Sequence, residues 1–151
     1  LNLEMKYLLH LFKNLSIKTG VTIIFQPNKR YQLHSDRLKL DLVLISLILN
    51  AIDAYENING KEKHIFIKFV KKPRNLLIKV KDYGMGIKEQ DLPLIFDPYF
   101  TSKDGNKCLG LGLYIGQSVM MKAYETKIKV ESVINQGSTF TLYIKNKFLL
   151  I

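Results

Sequence analysis

The run Leu42-Val43-Leu44-Ile45-Ser46-Leu47-Ile48-Leu49-Asn50-Ala51-Ile52 is apolar at every position but two, and those two, Ser46 and Asn50, stand four apart. Four residues is about one turn of an α-helix, so the two polar side chains share one face of a helix that is otherwise buried. Ser35-Asp36 supplies an N-cap and Asn59-Gly60 a stop, which predicts a helix from Asp36 to about Asn57. Asp53 and Asn57 extend the polar stripe. Solvated helix faces usually carry long Lys and Glu, whereas this stripe holds short Ser, Asn and Asp, which points to a ligand cleft. An Asn carbonyl in such a cleft is a hard oxygen donor, suited to Mg²⁺ that phosphates also hold.

Outward from this helix, His64 to Val70 and Leu76 to Asp82 read as a pair of strands joined by Lys72-Pro73-Arg74-Asn75. The second strand ends in Asp82-Tyr83-Gly84-Met85-Gly86. A carboxylate at a strand end is an acceptor, and paired glycines let a flat ligand approach the backbone closely. An adenine amino group is a natural donor to such an Asp. Farther on, Gly110-Leu111-Gly112-Leu113 leads into a helix predicted from Leu111 to Ala123, where free backbone N–H groups and the helix dipole favour an anion. No GxxxxGK[ST] loop occurs, and the glycines do not follow a strand as a dinucleotide fold requires.

Between these two glycine segments lies Phe96-Asp97-Pro98-Tyr99-Phe100-Thr101-Ser102-Lys103-Asp104-Gly105. Its aromatics, Pro98 and Gly105 suggest a hinged lid over 97–109, with Lys103 placed to reach phosphate oxygens. A short helix is expected from about Lys88 to Ile95, and a last pair of strands over about Thr126 to Val133 and Ser138 to Lys145 around the turn Asn135-Gln136-Gly137. Near the start, Leu1, Met5, Leu8, Phe12 and Leu15 form a helical stripe, followed by a strand at Val21 to Phe25. The pattern is α+β: a two-layer sandwich with a mixed sheet and helices packed on one face.

Composition bounds the possibilities. The 151 residues are 47% apolar and 24% charged, which fits one globular domain and excludes disorder. Twenty-three Lys and Arg against thirteen acids give +10, favouring polyanionic partners such as nucleic acid, an anionic membrane face or a phosphorylated small molecule. The single Cys108 allows neither an internal disulfide nor a cysteine-rich zinc site, which suits a reducing, cytoplasmic compartment. The opening Leu1-Asn2-Leu3-Glu4 lacks an initiator Met and reads as the start of a piece of a longer chain.

Taken in order, Asn50 in a helix, Asp82-x-Gly84-x-Gly86 after a strand, the Phe96 to Phe100 segment, Gly110-x-Gly112 opening a helix, and Gly137-Ser138-Thr139-Phe140 in a final strand resemble the ATP-binding catalytic domain of sensor histidine kinases. The resemblance covers about Lys18 to Lys145 and implies the Bergerat ATP-binding fold shared with gyrase, heat-shock chaperone and mismatch-repair ATPases. It implies that Asn50 coordinates Mg²⁺, Asp82 accepts from the adenine amine, and Gly84 and Gly86, with Ile87, shape the adenine pocket. Tyr55 would flank the base, Asp53, Phe96 and Phe100 would belong to the nucleotide site, and Gly110, Leu111, Gly112 and Leu113 would line the phosphates. Thr139 would support Asp82 through a water, and Lys103 would join Asn50 in catalysis.

Two departures from the family pattern stand out. Cys108-Leu109 replaces the usual Gly-Thr before Gly110, removing a hydroxyl beside the phosphates. Ser46 stands where hydrolysing relatives place a water-activating Glu, which argues for phosphoryl transfer to another nucleophile. His10, His34 and His64 lack the neighbours of a phosphoacceptor, so the acceptor is expected on a separate histidine-bearing dimerisation domain of the same protein. The expected function is transfer of the ATP γ-phosphoryl group to that histidine in two-component signalling. A response regulator follows as partner, in a homodimeric parent whose membrane anchoring stays open, with no nucleic acid and no membrane contact by this fragment. A serine kinase of the anti-sigma-factor type shares the fold, and a degenerate nucleotide-binding module without transfer is the third reading. Residues 1–17 are expected to be either the tail of an upstream helical dimerisation segment or a helix packed on this domain, with 18–151 as the catalytic domain.

Overall fold

Alternating apolar residues at 65, 67 and 69 and at 76, 78 and 80 put one face of a central hairpin into the core. The computed structural model describes residues 1–27, 29–34, 36–101 and 109–150. Its main sheet contains β1 (Val21–Phe25), β3 (Lys63–Lys71), β4 (Asn75–Asp82), β5 (Lys129–Val133) and β6 (Gly137–Lys145), in the order β1-β3-β4-β6-β5. Only the β1–β3 pair is parallel. A parallel pair needs a crossover, and α3 (Arg37–Asp53) supplies it. Helix α4 (Gly112–Tyr124) lies beside α3 on the same face. The result is the expected α+β architecture with a mixed sheet and helices over one side.

Several boundaries differ from the sequence reading, each for a local reason. Asp36 caps α3 as expected, its carboxylate accepting from Leu38 N at 3.1 Å; its neighbour Ser35 lies outside the described residues. The helix stops at Asp53 rather than near Asn57, because the Ala54 carbonyl accepts from Met85 N (2.9 Å) and Ile58 N turns to Tyr55 O. Asn57, at φ +66°, therefore leaves the polar stripe. Residues 88–95 form turns instead of a helix: Pro93 has no N–H to continue the ladder, and Leu94 N reaches back only three residues, to Asp91 O. Strand β5 starts at Lys129 rather than Thr126. Ahead of it, Thr126 Oγ1 donates to Tyr143 O and Ile128 N donates to the Gln117 side chain. A second, two-stranded sheet pairs β2 (Gln32–Leu33) with β7 (Leu149–Leu150) and was not legible in the sequence.

The opening segment forms two helices, α1 (Asn2–Leu11) and α2 (Lys13–Thr19), with the break at Phe12. Met5, Leu8 and Phe12 are buried in the same core as α3 and the sheet, and Asn2 bonds to the backbone of Lys29 and Tyr31. Among the described residues no helix is long and apolar enough to cross a membrane. Met5 is fully buried, so Met5→Ala is expected to cost about 2–5 kcal/mol through the cavity it leaves. Urea unfolding measures this, and an unchanged midpoint would detach α1 from the domain's stability.

Candidate functional site

Asp82 ends β4 on the helix-facing side of the sheet and is only 1% exposed. Burial pushes its carboxyl up to about 6, against the pull of the Gly84 and Ser138 backbone N–H groups. Gly84 N donates to Asp82 Oδ1 at 2.8 Å. One carboxylate oxygen is thus fixed by the backbone, which orients the other.

Three backbones converge on this residue, and glycine is what permits it. A Cβ on Gly84 would lie 2.4 Å from the Ala54 carbonyl oxygen, and one on Gly137 would lie 2.2 Å from the Asp82 carbonyl oxygen. Gly86, at φ +70°, is pressed equally close to the Val133 carbonyl. The loop after Asp82 is therefore clamped between the end of α3 and the β5–β6 turn, with Asn135 N donating to Met85 O.

Tyr55 ties the same corner from behind. Its hydroxyl donates to His64 O at 2.5 Å and accepts from Tyr83 N at 2.8 Å. Burial raises the pKa of this hydroxyl, opposed by its backbone bond to Tyr83. The expectation that Tyr55 flanks a base is corrected here. Its ring is 2% exposed, so it buttresses the strand end that carries Asp82.

The other end of the site lies where α4 begins. Gly112 packs so closely on α3 that a Cβ would sit 2.8 Å from Ser46 Oγ. Among the described residues no side chain caps α4, which leaves the N–H groups of its first turn to other acceptors. Gly110, at φ +65°, rests on the Tyr99–Phe100 backbone, and Tyr99 N donates to Gly110 O. Helix α3 thus touches the Asp82 loop at Ala54 and the α4 start at Ser46, about 12 Å apart along its axis. Asn50 stands midway on the same face, half-buried, its side chain unbonded to any described residue. No group of three or more His, Cys, Asp or Glu gathers among the described residues to hold a metal alone.

The remaining expected residues fall in three groups. Ile87, Phe96, Phe100 and Leu113 are partly buried and pack against the core, while Leu111 occupies the N-cap position of α4 without a side-chain bond and Asp53 closes α3. Lys103, Cys108 and most of the expected lid fall within 102–108, outside the described residues. Thr139 is the second correction: it pairs with Lys81 on the face away from the helices. Ser138, one residue earlier and 5% exposed, shares Asp82's face, and its hydroxyl lies 2.9 Å from that of Ser132. Ser132 in turn accepts from Ile87 N. The signal was available in sequence parity, since Phe140, Leu142 and Ile144 mark the buried face and Ser138 continues their alternation.

Residues 35–147 match the family described as histidine kinase-, DNA gyrase B- and HSP90-like ATPase. A probable C4-dicarboxylate sensor kinase of Halalkalibacterium halodurans is 31% identical over 131 residues, covering 85% of this chain and 24% of that protein. The sensor histidine kinase ZraS of Salmonella typhimurium is 37% identical over 118 residues, covering 77% and 23% respectively. The chain therefore spans about a quarter of the length of these relatives. Among solved structures, the catalytic domain of histidine kinase ThkA superposes with a TM-score of 0.81 at 28% identity, covering 96% of this chain and 91% of that one. A structure of ThkA in complex with the response regulator protein TrrA gives 0.77 at 26% identity, covering 96% and 40%.

Because the folded Asp82 carboxyl titrates above a free one, the native state retains the proton over roughly pH 4 to 6. Stability from this group is therefore full below about pH 4 and lost as pH rises through about 6, by about 2–3 kcal/mol. Asp82→Asn removes that titration. Urea unfolding from pH 4 to 7 should show the variant gaining on the parent as pH rises, and a difference independent of pH would contradict the buried carboxyl.

Proposed function

The chain belongs to the histidine kinase-, DNA gyrase B- and HSP90-like ATPase family, and on that footing we propose that it binds Mg-ATP and delivers the γ-phosphoryl group to a histidine on a separate helical domain. The observation that carries this reading is that one helix, α3, makes glycine-dependent contacts with both the buried carboxylate's loop and the uncapped start of α4. Asp82 at one end offers an acceptor to the adenine amine. The free N–H groups at the other suit an anion, and Asn50 lies between them.

The donor set fits the ligand. Asn50 contributes a neutral oxygen, and with no carboxylate cluster among the described residues a hard cation here would share its shell with phosphate oxygens and water. Mg²⁺, when bound, supplies neutralisation of charge on the transferring group. The chain's own contribution is placement. The Asp82 and Gly84 corner fixes one end of the nucleotide, and the α4 amides hold the phosphates in a set orientation. Ser46 carries a hydroxyl where a water-activating carboxylate would be needed, so it cannot serve as a general base. That disfavours activation of water and supports transfer to an outside nucleophile. The response regulator in the ThkA complex supports two-component signalling as the setting, with a homodimeric parent at the cytoplasmic side.

Calorimetry with Mg²⁺ present tests the pocket. ATP should bind more tightly than GTP, because guanine presents a carbonyl where adenine presents its amine. Asp82→Asn should weaken ATP by roughly 1–3 kcal/mol. Equal affinities for the two nucleotides would remove Asp82 from the base pocket.

A further inference from the structure

The helices cover one side of the sheet, and the other side gathers lysines that are far apart in the sequence. On β3 and β4, Lys68 stands directly opposite Lys79, and Lys81 stands opposite Phe66 one pleat away. Neighbouring strands are about 4.8 Å apart, and like charges in direct register are destabilising. None of the three lysines pairs with a carboxylate among the described residues. The acid on the strands of this face, Glu131, is held by Lys129 at 3.7 Å. The arrangement keeps a repulsion that folding does not need, and a neighbouring anionic surface would relieve it.

Aromatic side chains border the lysines. Phe66 and Tyr83 meet edge to face with centroids 6.0 Å apart. The Lys81 ammonium lies 4.6 Å from the Tyr83 ring centroid, and the Lys68 ammonium 5.8 Å from that of Phe66. A single nucleic-acid strand needs open ring faces for its bases, and here lysines cap both rings. A flat face of ammonium groups with half-exposed Tyr and Phe between them suits the interfacial layer of a membrane, where amphipathic rings and basic side chains sit at headgroup level.

We propose that the open face of the sheet, centred on Lys68, Lys79 and Lys81, docks on an anionic lipid surface. This departs from the expectation that the fragment makes no membrane contact. Asp82 and α3 lie on the opposite side of the sheet, so a docked domain keeps its candidate nucleotide site turned away from the bilayer. The surface is independent of the nucleotide reading and stands or falls without it.

Co-sedimentation of the chain with vesicles tests the proposal, comparing phosphatidylcholine alone with phosphatidylcholine containing one third phosphatidylserine. Binding is expected to the anionic vesicles only, and to vanish at high salt. The triple variant K68Q/K79Q/K81Q should lose roughly a hundredfold in partition, and it should fold, since it relieves a like-charge pair. K6Q/K13Q/K18Q removes the same charge from α1 and α2 and should bind as the parent does. Equal losses in the two triple variants would reduce the effect to net charge and overturn the proposal. Binding to neutral vesicles, or a labelled single-stranded oligonucleotide that displaces the chain from the lipid through the same three lysines, would overturn it as well.

Discussion

A carboxylate withdrawn from water at the end of a central strand is the constraint from which the site follows. Asp82 is held there by backbone N–H groups, at a corner where Gly84 and Gly137 bring no side chains of their own. The Gly84 and Gly137 backbones approach to distances that no Cβ would allow, so the loop after β4, the end of α3 and the β5–β6 turn close on one point. Desolvation makes the charged form costly and a donor from a ligand correspondingly effective. Tyr55, bonded to the strand on each side, keeps that corner from relaxing.

From that corner α3 acts as a spacer of fixed length. The carbonyl of its C-cap residue, Ala54, is diverted to the Asp82 loop, and one turn before Asn50 its Ser46 meets the start of α4. Packing rigid helix against rigid helix at a glycine leaves little slack. The distance between the Asp82 carboxylate and the α4 amides, the two ends of the proposed nucleotide site, is therefore set by helical rise rather than by loops. This rigidity suits a reaction in which placement and charge stabilisation supply most of the rate.

What the sequence made legible was local. Two polar exceptions in an apolar helix, an Asp followed by spaced glycines, and glycines ahead of a helix can each be read within a few residues. Their order carried the fold. What it hid depends on pairing across the sheet. The parity of Phe140, Leu142 and Ile144 separates Ser138 from Thr139, but which strand end Ser138 comes to lie beside follows only from the pairing of β4 with β6. The lysine face arises the same way, since residues 68 and 79 become neighbours only when β3 and β4 pair. Only the family resemblance places Tyr55 beside the nucleotide. The early end of α3 turns it inward instead. The two-residue strands β2 and β7 lie below the length at which alternation can be recognised.

In the proposed site the Asp82 loop and the α4 start hold the two ends of one nucleotide across α3. Amide chemical shifts of the chain titrated with Mg²⁺ and a non-hydrolysable ATP analogue address it directly. The account predicts that Gly84, Met85, Ala54, Asn50, Gly110 and Gly112 shift together along a single binding curve, while Lys68 and Lys79 stay still. Shifts confined to one end of α3, or two ends that saturate at different concentrations, would contradict it.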